Sequence, residues 1–128
     1  SVREFGGSDT FAAPASGAAG YDSMVIVPGS MGTAGQIASG VSSNLICRAA
    51  DVMLKEKRRL ILVTREAPLS TIHLRNLTTL SECGAVVLPA SPSFYSRPAG
   101  TDELCATVVE RVMSLLDLRG ERYEWGND

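Results

Sequence analysis

The chain has 128 residues, enough for one domain that buries a core without disulfide or metal support. An apolar share of 45% excludes global disorder, and a formal net charge of −2 excludes a general nucleic-acid binder and implies no cationic partner. Cys47, Cys83 and Cys105 are odd in number and widely spaced, which excludes a disulfide framework and a zinc motif. No apolar run approaches the roughly 18 residues that cross a bilayer, and no basic-then-apolar leader opens the chain, so a cytoplasmic protein with reduced thiols is expected.

Residues 1–20 are rich in Gly, Ala and Ser and read as a loop or arm, with Phe5 and Phe11 as their only large anchors. Order begins at Met24-Val25-Ile26-Val27, a short apolar run stopped by Pro28-Gly29, as in a strand buried on both faces. Residues 30–39 read as a turn into a helix. A second helix is expected over 44–57, where Leu45, Ala49, Val52, Met53 and Leu54 recur at helical spacing. Leu60-Ile61-Leu62-Val63 is a second buried strand. Ser70 is a fitting N-cap for a helix through about Glu82, and Gly84 a fitting stop. Ala85-Val86-Val87-Leu88 is a third strand. A Pro-bounded loop follows, and Thr101 caps a last helix to about Leu118 with Leu104, Val108, Val112 and Leu115 in one stripe.

Short apolar strands alternating with amphipathic helices predict an α/β domain over 21–118, a parallel sheet with helices on both faces, and a tail over 119–128. In such sheets ligands collect beyond the carboxyl ends of the strands. Three such ends carry more than a minimal connection needs. The first is Pro28-Gly29-Ser30-Met31-Gly32-Thr33. Small residues allow close backbone approach, Ser30 and Thr33 offer hydroxyls, and the next helix aims its first N–H groups at the same point. A phosphate or a flavin ring edge suits it; an ordinary capped turn is the plain alternative. The second is Arg65-Glu66, either a ligand-bridging pair or a surface ion pair. The third is the loop that carries Tyr95.

Arg48 and Lys55 lie seven apart, on nearly one helical face, which alone would be a solvated basic face. Arg111 falls mid-helix among Val108, Val109, Val112 and Met113. Burial there demands an anionic partner, either a ligand phosphate or a carboxylate such as Glu110 or Asp117. His73 is the lone histidine and reads as structural. The cysteines read as packing residues.

Taken together, Val27-Pro28-Gly29-Ser30-Met31-Gly32-Thr33, Ser43-Asn44-Leu45-Ile46 and Arg48-Ala49-Ala50-Asp51-Val52-Met53-Leu54-Lys55-Glu56 resemble the flavin prenyltransferase (UbiX-type) family, once called aromatic acid decarboxylases. Arg65-Glu66-Ala67-Pro68-Leu69, His73-Leu74-Arg75-Asn76 and Phe94-Tyr95-Ser96-Arg97-Pro98 extend the likeness, which runs from about residue 11 to 118. The resemblance implies a three-layer, doubly wound, Rossmann-like flavoprotein fold, FMN as cofactor, no metal, and a homo-dodecamer. It implies transfer of a dimethylallyl group from dimethylallyl monophosphate to reduced FMN, with the prenylated FMN passed to a partner decarboxylase. By position, Ser30, Met31, Gly32, Thr33 and Arg65 would contact FMN. Lys55, Tyr95 and Arg111 would hold the donor phosphate with Arg48 nearby, and Glu66 would move a proton.

Two positions depart from the family pattern, which usually has Cys at 29 and Lys at 32. The family domain also opens with a strand and a Gly/Ser-rich turn that have no counterpart in residues 1–20. The expectation is a fragment, or a fold completed by another chain. A non-catalytic flavin-binding subunit and a related cysteine-decarboxylating flavoprotein are the competing readings. The blocks around Lys55 and Tyr95 favour the prenyltransferase.

Overall fold

The computed structural model describes residues 21–91 and 101–116, with side chains of the last helix from residue 106. The expected arm over 1–20, the Tyr95 loop and the tail lie outside the described residues. The elements run β1 (Ser23–Ile26), α1 (Met31–Ala38), α2 (Leu45–Lys55), β2 (Arg59–Thr64), α3 (Thr71–Glu82), β3 (Val86–Pro89) and α4 (Thr101–Leu116).

The three strands form a parallel sheet in the order β1-β2-β3. Ile26 stands opposite Leu62, and Thr64 opposite Pro89. The central strand explains why the apolar runs do not alternate. Leu60, Ile61, Leu62 and Val63 are all buried, so both faces of β2 are covered. Leu60 and Leu62 share one face with Ile26 and meet Met31, Ala34, Ile37, Cys47, Ala50, Met53, Leu77 and Leu80 from α1, α2 and α3. Ile61 and Val63 point to the opposite face. Three parallel strands with four helices make this a Rossmann-like α/β fold, as the sequence predicts.

The helix ends follow local chemistry. Ser30, Asn44 and Ser70 each cap a helix by accepting from the backbone N–H three residues on. Gly84 ends α3 at φ 104°, with the Ala85 N–H donating to Leu80 O at 2.9 Å. The end of α2 is built the same way without glycine. Lys57 takes φ 57°, its N–H reaches Leu54 O at 3.2 Å, and the Arg58 N–H reaches Met53 O at 2.8 Å. Arg58 then ties this corner to the start of β1, donating through Nη1 to Tyr21 O at 3.1 Å.

Among the described residues no helix is long and apolar enough to cross a membrane. The last helix belongs to a separate compact unit of the chain, over residues 90–128. Along it Val108, Val112 and Leu115 are half-buried, whereas Val109 is 59% exposed. Arg111 is exposed as well, against the expectation of a buried arginine. The reason is helical geometry: sequence neighbours are turned by about 100° from one another, so Val109 and Val112 do not enclose the residue between them.

Candidate functional site

Parallel pairing puts the ends of β1, β2 and β3 on one edge of the sheet, so the connections after Ile26 and Thr64 open side by side. The first of them carries the predicted cradle. After Ile26 the chain passes through the cis Val27–Pro28 bond, and the Gly29 N–H donates to Val63 O at 2.7 Å. That bond fastens the cradle to the central strand.

Gly29 is buried and sits against Leu62. A Cβ placed there would overlap the Leu62 Cδ1 atom, lie 2.7 Å from Leu62 Cγ and lie 3.3 Å from Val63 O. Gly32 is the opposite case, since a Cβ there would meet only Ser30 Oγ, at 3.9 Å. One glycine lets two parts of the chain touch; the other leaves open space in front of the helix.

Ser30 stands in extended backbone, φ −72° and ψ 156°, and its Oγ accepts from the Thr33 N–H at 3.1 Å. The same Oγ donates to Thr33 Oγ1 at 3.0 Å. The Ser30 proton is therefore engaged, and Thr33 keeps a hydroxyl proton for an incoming acceptor. Met31 is buried and closes the floor. The first turn of α1 holds no acidic residue, so nothing in it offsets the positive end of the helix dipole. Ser30, Gly32 and Thr33 thus present an open, donor-rich surface at a helix N-terminus, a fit for the phosphate or ring edge of a flavin nucleotide.

Arg65 and Glu66 follow Thr64 on this same edge and are both exposed. The described ion pair is Arg58–Glu56, at 3.7 Å; Arg65 and Glu66 form none with each other. The surface-pair alternative for Arg65-Glu66 therefore has no support in the geometry. Ala67–Pro68 is a second cis bond, and α3 starts directly afterwards.

Lys55 and Arg48 are exposed on α2, with Asp51 between them on the same face. Lys55 ends the helix, and the Arg58-to-Met53 bond folds that end onto the start of β2. Ser23 pairs with Arg59 at this edge. Lys55 therefore sits at the amino edge of the sheet. Arg65 and the cradle sit at the carboxyl edge, about 17 Å away along six-residue β2. The fold brings the cradle and Arg65-Glu66 together and does not bring Lys55 to them within one chain. Tyr95 lies outside the described residues, and Arg111 belongs to the other compact unit.

His73 has the structural role expected of it, in a form that was not foreseen. Its Nδ1 accepts from the Ser70 N–H at 3.1 Å while its own N–H donates to Ser70 Oγ at 3.1 Å. Cys47 is fully buried and lies 3.5 Å from Gln36 Oε1. Burial pushes its thiol pKa up, which keeps it a packing residue rather than a nucleophile.

A parallel α/β sheet with a capped, small-residue cradle at its carboxyl edge defines a nucleotide- or flavin-binding class of domain. The chain belongs to the Flavoprotein family, whose pattern matches residues 3–117. It is 48% identical over 126 residues to the flavin prenyltransferase UbiX of Pseudomonas aeruginosa, covering 98% of this chain and 60% of that protein. It superposes on a structure of AnUbiX (PadA1) in complex with FMN and dimethylallyl pyrophosphate, with TM-score 0.88 and 44% identity, covering 95% of this chain and 65% of that one. A dodecameric FMN-dependent UbiX-like decarboxylase from Escherichia coli O157:H7 is similar at TM-score 0.86 and 42% identity, covering 92% and 64%. The chain spans about three-fifths of the length of the curated relatives it matches.

Proposed function

We propose that the protein is a flavin prenyltransferase, which moves a dimethylallyl group from dimethylallyl monophosphate to reduced FMN. The observation that carries this reading is the cradle at residues 29–33. It is a donor-rich helix start fastened to β2 by the Gly29–Val63 bond, with Arg65-Glu66 on the same sheet edge. The chain's likeness to a neighbour solved with FMN and dimethylallyl pyrophosphate supports a flavin and a dimethylallyl phosphate-type donor as the ligands.

Ser30, Met31, Gly32 and Thr33 would hold FMN, with Arg65 at its phosphate or ring edge. Bound reduced FMN would supply the electron-rich ring that accepts the prenyl group. Departure of an allylic phosphate leaves negative charge on the phosphate oxygens. Lys55, Tyr95 and Arg111, with Arg48 nearby, would stabilise that charge by preorganised donors. Glu66 would hold the proton exchanged as the phosphate leaves.

Lys55 stands at the amino edge, remote from its own chain's cradle. The reading therefore requires a second copy to present Lys55 to the flavin site, and the dodecameric neighbour supports such an assembly. The prenylated product would go to a prenylated-FMN-dependent decarboxylase, in a cytoplasmic setting.

The test is incubation with reduced FMN and either dimethylallyl monophosphate or pyrophosphate, read by mass spectrometry for the added prenyl group. Prenylated FMN is expected, formed faster from the monophosphate. Bound flavin with no product would instead mark a non-catalytic flavoprotein. Mixing Lys55→Ala with Glu66→Ala protein tests the shared site. Each variant alone should lose about a hundredfold in rate, and the mixed assembly should regain activity.

A further inference from the structure

We propose that His73 is a positioning residue. Through a neutral capping contact with Ser70 it anchors the Arg65-Glu66 loop and thereby sets where Glu66 stands. The inference rests on the reading of Arg65 and Glu66 given above.

Residues 65–69 connect the end of β2 to the cap of α3, and all five are exposed. None of them makes a hydrogen bond or ion pair among the described residues. Packing therefore does little to hold the loop, and its course is decided at its two ends. At the first end Thr64 is buried and paired with Pro89 in the ladder. At the second end Ser70 is itself exposed, so burial does not fix it. Beside the Leu74 N–H bond to Ser70 O at 3.0 Å, it is held by a pair of reciprocal bonds with His73, each 3.1 Å long, of which the Ser70 N–H to Nδ1 bond depends on the His73 side chain. The ring is half-buried, and its helix is held to the core by Leu77 and Leu80. His73 thus transmits the position of the α3 core face to an otherwise unsupported loop.

The residue type matters as well. The third helical position of such a box is usually Glu or Gln. A glutamate here would add a negative charge beside a loop that must admit an anionic ligand. A histidine that accepts through Nδ1 and keeps its proton on Nε2 closes the box while remaining neutral.

The experiment compares His73→Ala, His73→Gln and His73→Glu in the complete, flavin-loaded protein. Amide hydrogen exchange at Ser70, flavin affinity and prenyl-transfer kinetics are the readouts. In His73→Ala, exchange of the Ser70 amide, which donates to His73 Nδ1, should rise at least about tenfold while β2 stays protected. kcat should fall about tenfold to a hundredfold, with KM for the prenyl donor changed by less than about twofold. His73→Gln should restore both loop protection and kcat. His73→Glu should restore protection while weakening flavin affinity several-fold.

A cap with only a structural role would be rescued equally by Gln and Glu, and that result overturns the neutrality argument. Unchanged Ser70 amide exchange in His73→Ala, or protection without kcat in His73→Gln, overturns the positioning role. If the parent protein forms no prenylated flavin, the functional reading has failed on its own terms. Ser70 amide exchange and flavin affinity then decide the present proposal, since both must worsen in His73→Ala and recover in His73→Gln.

Discussion

The backbone N–H of Gly29 donates to the carbonyl of Val63 at 2.7 Å, and that bond brings residue 29 against the side chain of Leu62. The cradle and the centre of the sheet are thus one packed unit. A methyl group at 29 has no space unless Leu62, which is 1% exposed, moves within the core. Gly29→Ala should destabilise the domain by about 1–3 kcal/mol through overpacking. Gly32→Ala, with open space around it, should be neutral or stabilise by up to about 1 kcal/mol. Urea denaturation of both variants checks the contrast. Adding Leu62→Ala to Gly29→Ala should recover part of the loss as a non-additive coupling.

The two hydroxyls of the cradle have separable jobs. Ser30 Oγ caps the Thr33 N–H and donates to Thr33 Oγ1, so Ser30 works on the helix, and under the proposed function Thr33 is the hydroxyl that meets FMN. Ser30→Ala should cost about 1 kcal/mol of stability through the lost cap. Thr33→Val should leave stability within about 0.5 kcal/mol and weaken FMN binding about fivefold to tenfold through one lost neutral hydrogen bond. Thermal melting and flavin fluorescence titration on the same two variants separate the roles.

Much of this fold was legible because its signals are local. Ser70 read as a cap from residue type and spacing, and Gly84 read as a stop because glycine accepts a left-handed backbone. The central strand read as buried because Leu60 to Val63 do not alternate, whereas β1 and β3, expected to be buried as well, flank it and are only partly buried. What stayed hidden depends on residues distant in the chain or on uncommon choices. His73 closes a box that sequence patterns assign to Glu or Gln. The burial expected of Arg111 came from neighbours in sequence, whereas exposure is decided by which face of α4 a residue occupies. The separation of Lys55 from the cradle is set by the turn at residues 56–58 and the direction of β2, neither of which spacing alone encodes.

That turn makes its own prediction. Lys57 holds φ 57° where α3 uses Gly84 at φ 104°, although both helices close with the same pair of backbone bonds. A left-handed backbone costs a residue with a Cβ about 1–2 kcal/mol. Part of that relief is offset by the greater freedom of glycine in the unfolded chain. Lys57→Gly should therefore stabilise by about 0.5–1 kcal/mol, whereas Gly84→Ala should destabilise by about 1 kcal/mol or more. Both shifts are readable as changes in the urea midpoint at constant slope.

Cys47 and Cys83 should differ sharply in reactivity. Cys47 is fully buried and Cys83 is exposed at the end of α3. Burial disfavours the thiolate, raising the Cys47 pKa above the ordinary thiol value, and only the thiolate is alkylated. Iodoacetamide near neutral pH should label Cys83 in the native protein and leave Cys47 unmodified; both should react in urea. The same shift has a sign for stability. A thiol pKa raised in the folded state means that the unfolded chain releases this proton first. The contribution of Cys47 to stability is fully present below the unfolded thiol pKa and is lost as pH rises through that value toward the folded one. Cys47→Ala should remove this alkaline loss while lowering stability at neutral pH through a small cavity. Denaturation curves at neutral and alkaline pH test both effects, and a parent protein whose stability is flat across that range would contradict the assignment.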